Sequence, residues 1–129
     1  MRPTPMRTLA TTSALLVIAL SVVAAWAIYQ PYRADQTNTD ALELLSQGKL
    51  AQAEAKAKDA HSINPASVRP LWSQAGVAVA QKNLHKAEVL YQRAVFDQPS
   101  NPEAWIRLAE FELYRNNQPK RALDVINGA

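Results

Sequence analysis

The chain has 129 residues, with 14 Lys and Arg against 11 Asp and Glu, a formal net charge of +3, and no cysteine. The lack of cysteine excludes a disulfide framework, a thiolate zinc site and a cysteine nucleophile. The charge excess comes from three arginines in residues 1–33, because residues 34–129 contain 11 basic and 11 acidic side chains. A nucleic-acid interface needs Lys and Arg on the folded domain, so this distribution argues against nucleic-acid binding.

Near the N-terminus, residues 8–32 contain no charged side chain, and residues 9–29 are rich in Leu, Val, Ile and Ala. As a helix, residues 9–29 would measure about 31 Å, which matches the hydrocarbon core of a bilayer. Three aromatic residues suited to the headgroup level stand at the end of this stretch: Trp26, Tyr29 and Tyr32. We therefore predict a transmembrane helix over residues 9–29, with Pro31 ending the helix.

The basic residues around this segment predict its orientation. Arg2 and Arg7 precede it, whereas Arg33 is the one basic residue close behind it. Basic residues are retained on the cytoplasmic side of a span. Residues 1–8 are therefore predicted to be a cytoplasmic tail, and residues 34–129 to lie outside the cytoplasm, at the periplasmic or extracellular face.

The same segment contains a sequence suited to cleavage, because Ala25-Trp26-Ala27 has the small-x-small pattern of signal-peptide sites. Against cleavage, the apolar run is longer than the roughly 7–15 residues of a signal-peptide core. Its length and its aromatic residues favour an uncleaved signal anchor. Both interpretations place the rest of the chain outside the cytoplasm.

An internal period of 34 residues follows, first visible in Asn64-Pro65 and Gln98-Pro99. The same step relates residues in the segments before these prolines: Ala53 to Ala87, Ala57 to Tyr91, and Ala60 to Ala94. Small residues three or four positions from a larger one share a helical face, where they let a neighbouring helix approach closely. Each Asn-Pro or Gln-Pro pair is expected to end its helix.

This spacing resembles that of the tetratricopeptide repeat family, whose 34-residue unit is a helix–turn–helix with Ala, a bulky residue, Ala and Pro in this order. The resemblance implies an all-α fold, in which the N-terminal transmembrane helix is followed by a solenoid of stacked helix pairs. Residues 30–38 are the predicted linker and residues 39–129 the repeat domain. Its units are assigned to residues 34–67, 68–101 and, incompletely, 102–129.

Local signals predict the ends of the helices. The turns inside the three units are predicted at Gly48, at Lys82-Asn83 and at residues 116–118. Asn101-Pro102-Glu103 has the order of an N-cap, a first-turn proline and a first-turn acid, and Pro119 is expected to open the last helix.

The resemblance also implies a concave groove, lined by the first helix of each unit, that binds a peptide or a partner helix. The groove positions are Asp35, Asn38, Leu42, Arg69, Trp72, Gly76, Val79, Glu103, Ile106, Glu110 and Tyr114. The candidate partner-binding residues among them are Arg69, Trp72, Gly76, Glu103, Ile106, Glu110 and Tyr114. For Trp72, core packing is favoured over ligand anchoring. The family's clamp for a C-terminal carboxylate is matched only in fragments.

The sequence offers little for catalysis. His61 and His85 have no third ligand at a metal-like spacing and are interpreted as surface side chains. Glu110 and Glu112 point about 200° apart on a helix and are interpreted as a solvated pair. We therefore expect no enzyme, no cofactor and no metal site.

These features predict a membrane-tethered adaptor for protein–protein interaction or assembly. By family analogy alone, it is similar to the repeat tails of bacterial polysaccharide polymerase or ligase-type proteins, or to anchored assembly factors of envelope or cytochrome biogenesis. The alternative is a non-catalytic bracing domain of such a membrane enzyme system. The last predicted helix would show an apolar face at Leu123, Val125 and Ile126, for which truncation, a docked partner and self-association are competing explanations.

Overall fold

The computed structural model describes the backbone of residues 5–129 and the side chains of residues 12–129. Within these residues it consists of helices and turns without a strand, which confirms the predicted all-α class. The helices are α1 (Pro5–Ser46), α2 (Leu50–Ile63), α3 (Arg69–Ala80), α4 (Leu84–Asp97), α5 (Pro102–Tyr114) and α6 (Pro119–Gly128). The first part of the predicted 1–8 tail, including Arg2, and the side chain of Arg7 lie outside the described residues.

The helix α1 continues through Pro31, so the predicted helix end at this residue is wrong, and residues 30–38, predicted as a linker, form part of this helix. Proline removes a backbone hydrogen bond and costs about 3 kcal/mol in a helix interior. The part of α1 beyond the proline is held by packing, because Ala34, Asn38 and Ala41 are buried and α1 contacts both α2 and α3. One helix therefore extends from the apolar segment into the repeat array.

The first part of α1 is long and apolar enough to span a membrane. Its large side chains are exposed, as at Leu15, Leu20 and Val23, and none of its most apolar stretch is buried within the protein. A signal sequence has the same properties. The helix is therefore weak support for the anchor predicted over residues 9–29.

Beyond α1 the helices stack in order, and α3 contacts α1, α2 and α4. The alanines related by the 34-residue step have no exposed surface in either unit: Ala53, Ala57, Ala60, Ala87 and Ala94. Tyr91 takes the place of Ala57 in the second unit and packs half-buried against the core. The predicted contact face of small residues is confirmed, and it lets the helix axes approach closely.

The three turns inside the units share one backbone feature. Each contains a residue with a positive φ, namely Gly48 at +73°, Lys82 at 60° and Asn117 at 53°. Such a residue ends an α-helix by turning the chain back over its last carbonyls. All three lie at the turns predicted from the sequence. Asn101 is also the predicted N-cap, since its side chain accepts a hydrogen bond of 3.0 Å from the Glu103 amide.

An ion pair between second helices occurs twice. Lys86 Nζ lies 2.7 Å from Glu54 Oε1 between α4 and α2, and Arg121 pairs with Glu88 between α6 and α4. The two glutamates are one 34-residue repeat apart. The two bases are separated by 35 positions because the third unit has a turn one residue longer. The repeat thus fixes electrostatic contacts as well as apolar packing.

The buried alanines predict a steric test. Ala57→Leu is expected to lower the free energy of unfolding by about 1–3 kcal/mol, because Ala57 has no exposed surface and the contact leaves no room for a larger side chain. Ala55→Leu, on the exposed face of the same helix, is the control and should change it by less than about 0.5 kcal/mol. Urea unfolding of the full chain in detergent micelles, followed by circular dichroism, measures both. Equal effects would contradict close packing at Ala57.

The Glu54 carboxylate predicts a dependence of stability on pH. Hydrogen bonds from Lys58, and then from Lys86 and Gln81, hold the pKa of Glu54 at about 2. An unfolded Glu has a pKa of about 4.3. Between about pH 4.3 and pH 2 the unfolded state binds more protons than the folded state at this residue. The stabilisation that the Glu54 carboxylate gives to the folded state is therefore present above about pH 4.5 and is lost as the pH falls towards 2.

We expect Glu54→Gln to destabilise the protein by about 1 kcal/mol at pH 7, with the difference from wild type shrinking towards pH 2. Urea unfolding at a series of pH values measures this difference. The exposed Glu110→Gln substitution is the control, for which a small and constant difference is expected. A Glu54→Gln difference that stays constant from pH 7 to pH 2 would show that the carboxylate is not stabilised by these lysines.

Candidate partner-binding groove

The first helices of the three units enclose an open pocket of about 820 Å³, which we call the groove. Leu45 contributes from α1, Gly76 and Val79 from α3, and Glu110 and Tyr114 from α5. The parallel first helices thus form one continuous surface, as expected from the repeat. A pocket of this volume lies within the usual range of about 300–1,000 Å³ for ligand sites.

The floor of the groove is apolar and aromatic. The rings of Tyr91 and Phe111 lie with their centroids 5.3 Å apart, and burial raises the pKa of the Tyr91 hydroxyl. Tyr114 stands at the edge with 75% of its surface exposed. This combination of a packed floor and an accessible aromatic side chain is typical of protein interfaces.

Charged side chains of both signs complete the lining. Arg107, Glu110 and Arg115 all border the groove. Arg107 is engaged within the protein, because its guanidinium lies 2.7 Å from Glu103 and 4.4 Å from the centre of the Trp72 ring. Arg115 and Glu110 are exposed and remain accessible to a partner.

Gly76 of α3 faces Leu45 of α1. A Cβ atom at position 76 would lie 3.4 Å from Leu45 Cδ2, which is an ordinary van der Waals contact. The Leu45 side chain therefore lies across the glycine. This side chain also lines the groove, whereas the repeat register had selected Leu42 on the same helix, which borders the smaller pocket instead.

The structure distributes the predicted groove residues over three neighbouring pockets. Gly76, Glu110 and Tyr114 line the groove, and Glu110 and Tyr114 also border the pocket between α5 and α6. Arg69 and Trp72 border a smaller pocket of about 130 Å³ with Asn38, Leu42, Ser73 and Arg107. Ile106 lines a third pocket on the outer face of α5 and α6, and Glu103 forms its ion pair with Arg107 beside these surfaces.

Trp72 is largely buried, with 9% of its surface exposed, and it belongs to a core cluster with Leu71, Val95 and Leu108. Arg107 covers the ring from the solvent side, in a cation–π geometry. This environment favours core packing for Trp72. A partner bound in the smaller pocket would contact only the edge of the Trp72 ring, because most of this side chain is already packed within the protein.

Two predictions about polar residues need correction. Glu112 is not solvated, since it is 1% exposed, accepts a hydrogen bond of 2.9 Å from Asn116 and lies 3.7 Å from Arg121. It therefore fixes the turn between α5 and α6 from inside. His85 is exposed as expected, whereas His61 is half-buried.

The outer face of α5 and α6 is apolar and open. Ile106, Leu113, Leu123 and Ile126 border a pocket of about 420 Å³ there, and Leu123 is 64% exposed. Val125 instead packs half-buried against the core. The predicted apolar face of the last helix is thus present at two of its three residues.

The geometry agrees with the comparison to known families. The family model described as a tetratricopeptide repeat matches residues 68–111, which cover α3, α4 and most of α5. This match supports a tetratricopeptide repeat family. It includes most of the residues that line the groove. No match was found among the curated proteins.

Trp72 provides a test of core packing. Trp72→Ala is expected to lower the free energy of unfolding by about 3–5 kcal/mol, because it removes a buried ring and leaves a cavity. Trp72→Phe should cost less, since it keeps an aromatic ring. Tyr114→Ala is the exposed control and should cost less than about 0.5 kcal/mol. Urea unfolding of the full chain compares the three variants; a Trp72→Ala protein as stable as wild type would refute a core role.

Proposed function

We propose that this protein is a membrane-tethered tetratricopeptide repeat protein that mediates protein–protein interaction or assembly without catalysing a reaction. The observation that carries the proposal is the groove of about 820 Å³ between α1, α3 and α5. Tetratricopeptide repeats generally serve as interaction scaffolds, and the matched segment supplies residues from three of the four helices that line this groove. The groove is therefore the surface on which we place the partner.

The partner best suited to the groove is an extended peptide or an amphipathic helix. The apolar floor around Phe111 and Tyr91 would accept apolar side chains, and the exposed Tyr114 ring would pack against them. The exposed Arg115 and Glu110 would set the charge pattern of the bound segment. Arg69, Trp72 and Glu103 lie outside the groove and are expected to support it structurally.

The tether is proposed from the apolar part of α1. Residues 9–29 would cross the cytoplasmic membrane as an uncleaved anchor, with residues 1–8 in the cytoplasm and the repeat array at the outer face. The support is the length and exposure of this part of α1, together with Arg2 and Arg7 before it and Arg33 alone close behind it. A tether raises the local concentration of the groove near membrane partners, so that modest affinity suffices.

A second candidate function is a non-catalytic bracing domain of a larger membrane enzyme system, such as a polysaccharide polymerase or ligase. The observation that favours it is the open apolar pocket on the outer face of α5 and α6. Apolar surface of this kind is typical of permanent rather than transient contacts. The two candidates therefore differ in which surface the partner covers.

Site-specific photocrosslinking separates them. We expect p-benzoylphenylalanine in place of Ala80, which is exposed and lines the groove but not the pocket between α5 and α6, to give specific adducts in native membranes. The exposed Gln92 position on α4 should give none. Charge reversal at the rim, Arg115→Glu, should reduce the adducts at Ala80. Adducts from Leu123 but not from Ala80 would favour the bracing domain. Identical products from Ala80 and Gln92 would contradict the groove as the binding surface.

A further inference from the structure

The helix α1 belongs to both the apolar segment and the repeat array, with no break between them. The position of a residue along α1 therefore gives its approximate height above the bilayer, if residues 9–29 form the proposed span. Asp35 is six residues beyond Tyr29, the last residue of the proposed span, which corresponds to about 9 Å along the helix. Pro31 and Tyr32 share a pocket with Asn64 and Ser67, so the connection before α3 lies only about 3–5 Å beyond the span. This connection is therefore within the headgroup region, since each interfacial layer is about 5–8 Å deep.

Two hydrogen bonds between α1 and α3 show which residues of these helices lie at the same height. Arg69 donates a hydrogen bond of 2.6 Å to Asp35, and Ser73 donates one of 2.7 Å to Asn38. The pairs lie in the same order along both helices. The helix α3 therefore starts at the level of Asp35 and runs away from the bilayer beside α1.

A third hydrogen bond shows that the end of α4 lies beside the start of α3. The Gln98 side chain, just after α4, donates a hydrogen bond of 2.7 Å to the carbonyl of Ala66, in the connection before α3. The end of α4 and both connections between units thus lie at one end of the array. We define the base of the array as residues 64–68, residues 98–101 and the last turn of α4.

The base differs chemically from the opposite end of the array. The connections over residues 64–68 and 98–101 contain no charged residue, and Asp97, the charged residue in the last turn of α4, is paired with Arg93. Each turn at the opposite end contains a basic side chain, namely Lys49, Lys82 or Arg115. Moving a charged side chain from water into the membrane interface costs more free energy than moving an uncharged polar side chain there.

Phe96 lies in the last turn of α4, at the base, and is 84% exposed. Neighbouring charges do not oppose apolar contact, because Arg93 and Asp97 form a pair at 3.6 Å. Aromatic side chains are favoured at the boundary between headgroups and acyl chains. Tyr32 of α1, also exposed, shares a pocket with Asn64 and Ser67 of the base.

We propose that the base of the array binds the lipid surface of the bilayer from which α1 emerges, with Phe96 inserted at the headgroup level. This inference rests on the proposed tether and specifies how it holds the array. The helices of the array then stand upright on the membrane, and the groove opens sideways, parallel to its surface. A partner reaches the groove along the membrane rather than from above it.

The lack of cysteine makes a spin-label test direct, because single labelling sites can be introduced into the full chain. Ser100→Cys places the label in the exposed base, and Lys82→Cys places it in a turn at the opposite end. In vesicles of uncharged phosphatidylcholine, the ratio of oxygen to nickel-chelate collisions reports immersion. We expect this ratio to be several-fold higher at Ser100 than at Lys82, and to fall towards the Lys82 value when Phe96→Ser is added.

A label at Leu20, in the middle of the proposed span, separates this inference from the proposed function. Immersion at Leu20 with an aqueous label at Ser100 would overturn binding of the base while the tether stands. An aqueous label at Leu20 would overturn the tether and the inference together. Immersion at Ser100 that is unchanged by Phe96→Ser would overturn the insertion of Phe96. Unchanged helical circular dichroism of each variant is the control for folding.

Discussion

Close approach of helices through alanine faces is the constraint on which the whole array depends. Ala53, Ala57 and Ala60 in α2, with Ala87 and Ala94 in α4, have no exposed surface, so each second helix sits directly against its neighbours. That approach brings α3 into contact with both α1 and α2 and stacks α5 on α4. The glutamate–base pairs between second helices follow from the same repeated geometry. A larger side chain at these alanines would separate the helices and disturb every contact that the stacking creates.

The packing of α1 couples the apolar segment to the repeat array. Buried contacts at Ala34, Asn38 and Ala41 keep the helix intact beyond Pro31, although proline is unfavourable there. A flexible linker would leave the groove free to take any orientation. A continuous helix instead relates the direction of the apolar segment to the direction of every first helix, and the groove lies between those helices. The stability of the fold and the orientation of the proposed binding surface therefore depend on the same contacts.

Much of the fold was predictable because its signals are local or periodic. Positive-φ turns lie at Gly48, Lys82 and Asn117, as the breaks in the pattern indicate, and Asn101 caps its helix. The candidate site was predictable only in part. The helical period places Gly76, Glu110 and Tyr114 on the groove, but the period alone does not show which first-helix residues are covered by a neighbour. Trp72 is such a residue, since Arg107 from α5 covers its ring.

The all-α class, the 34-residue repeat, the helix ends within the array and the apolar N-terminal segment are all readable from the sequence, because each depends on local or periodic patterns of residues. The continuation of α1 through Pro31, the burial of Glu112 and the exposure of Phe96 are visible only in the packed structure. In each case the outcome depends on a neighbouring element, or the lack of one, at that position. Local rules assign a cost to a proline in a helix or a carboxylate in the core, but only packing and hydrogen bonds from other segments determine whether that cost is offset.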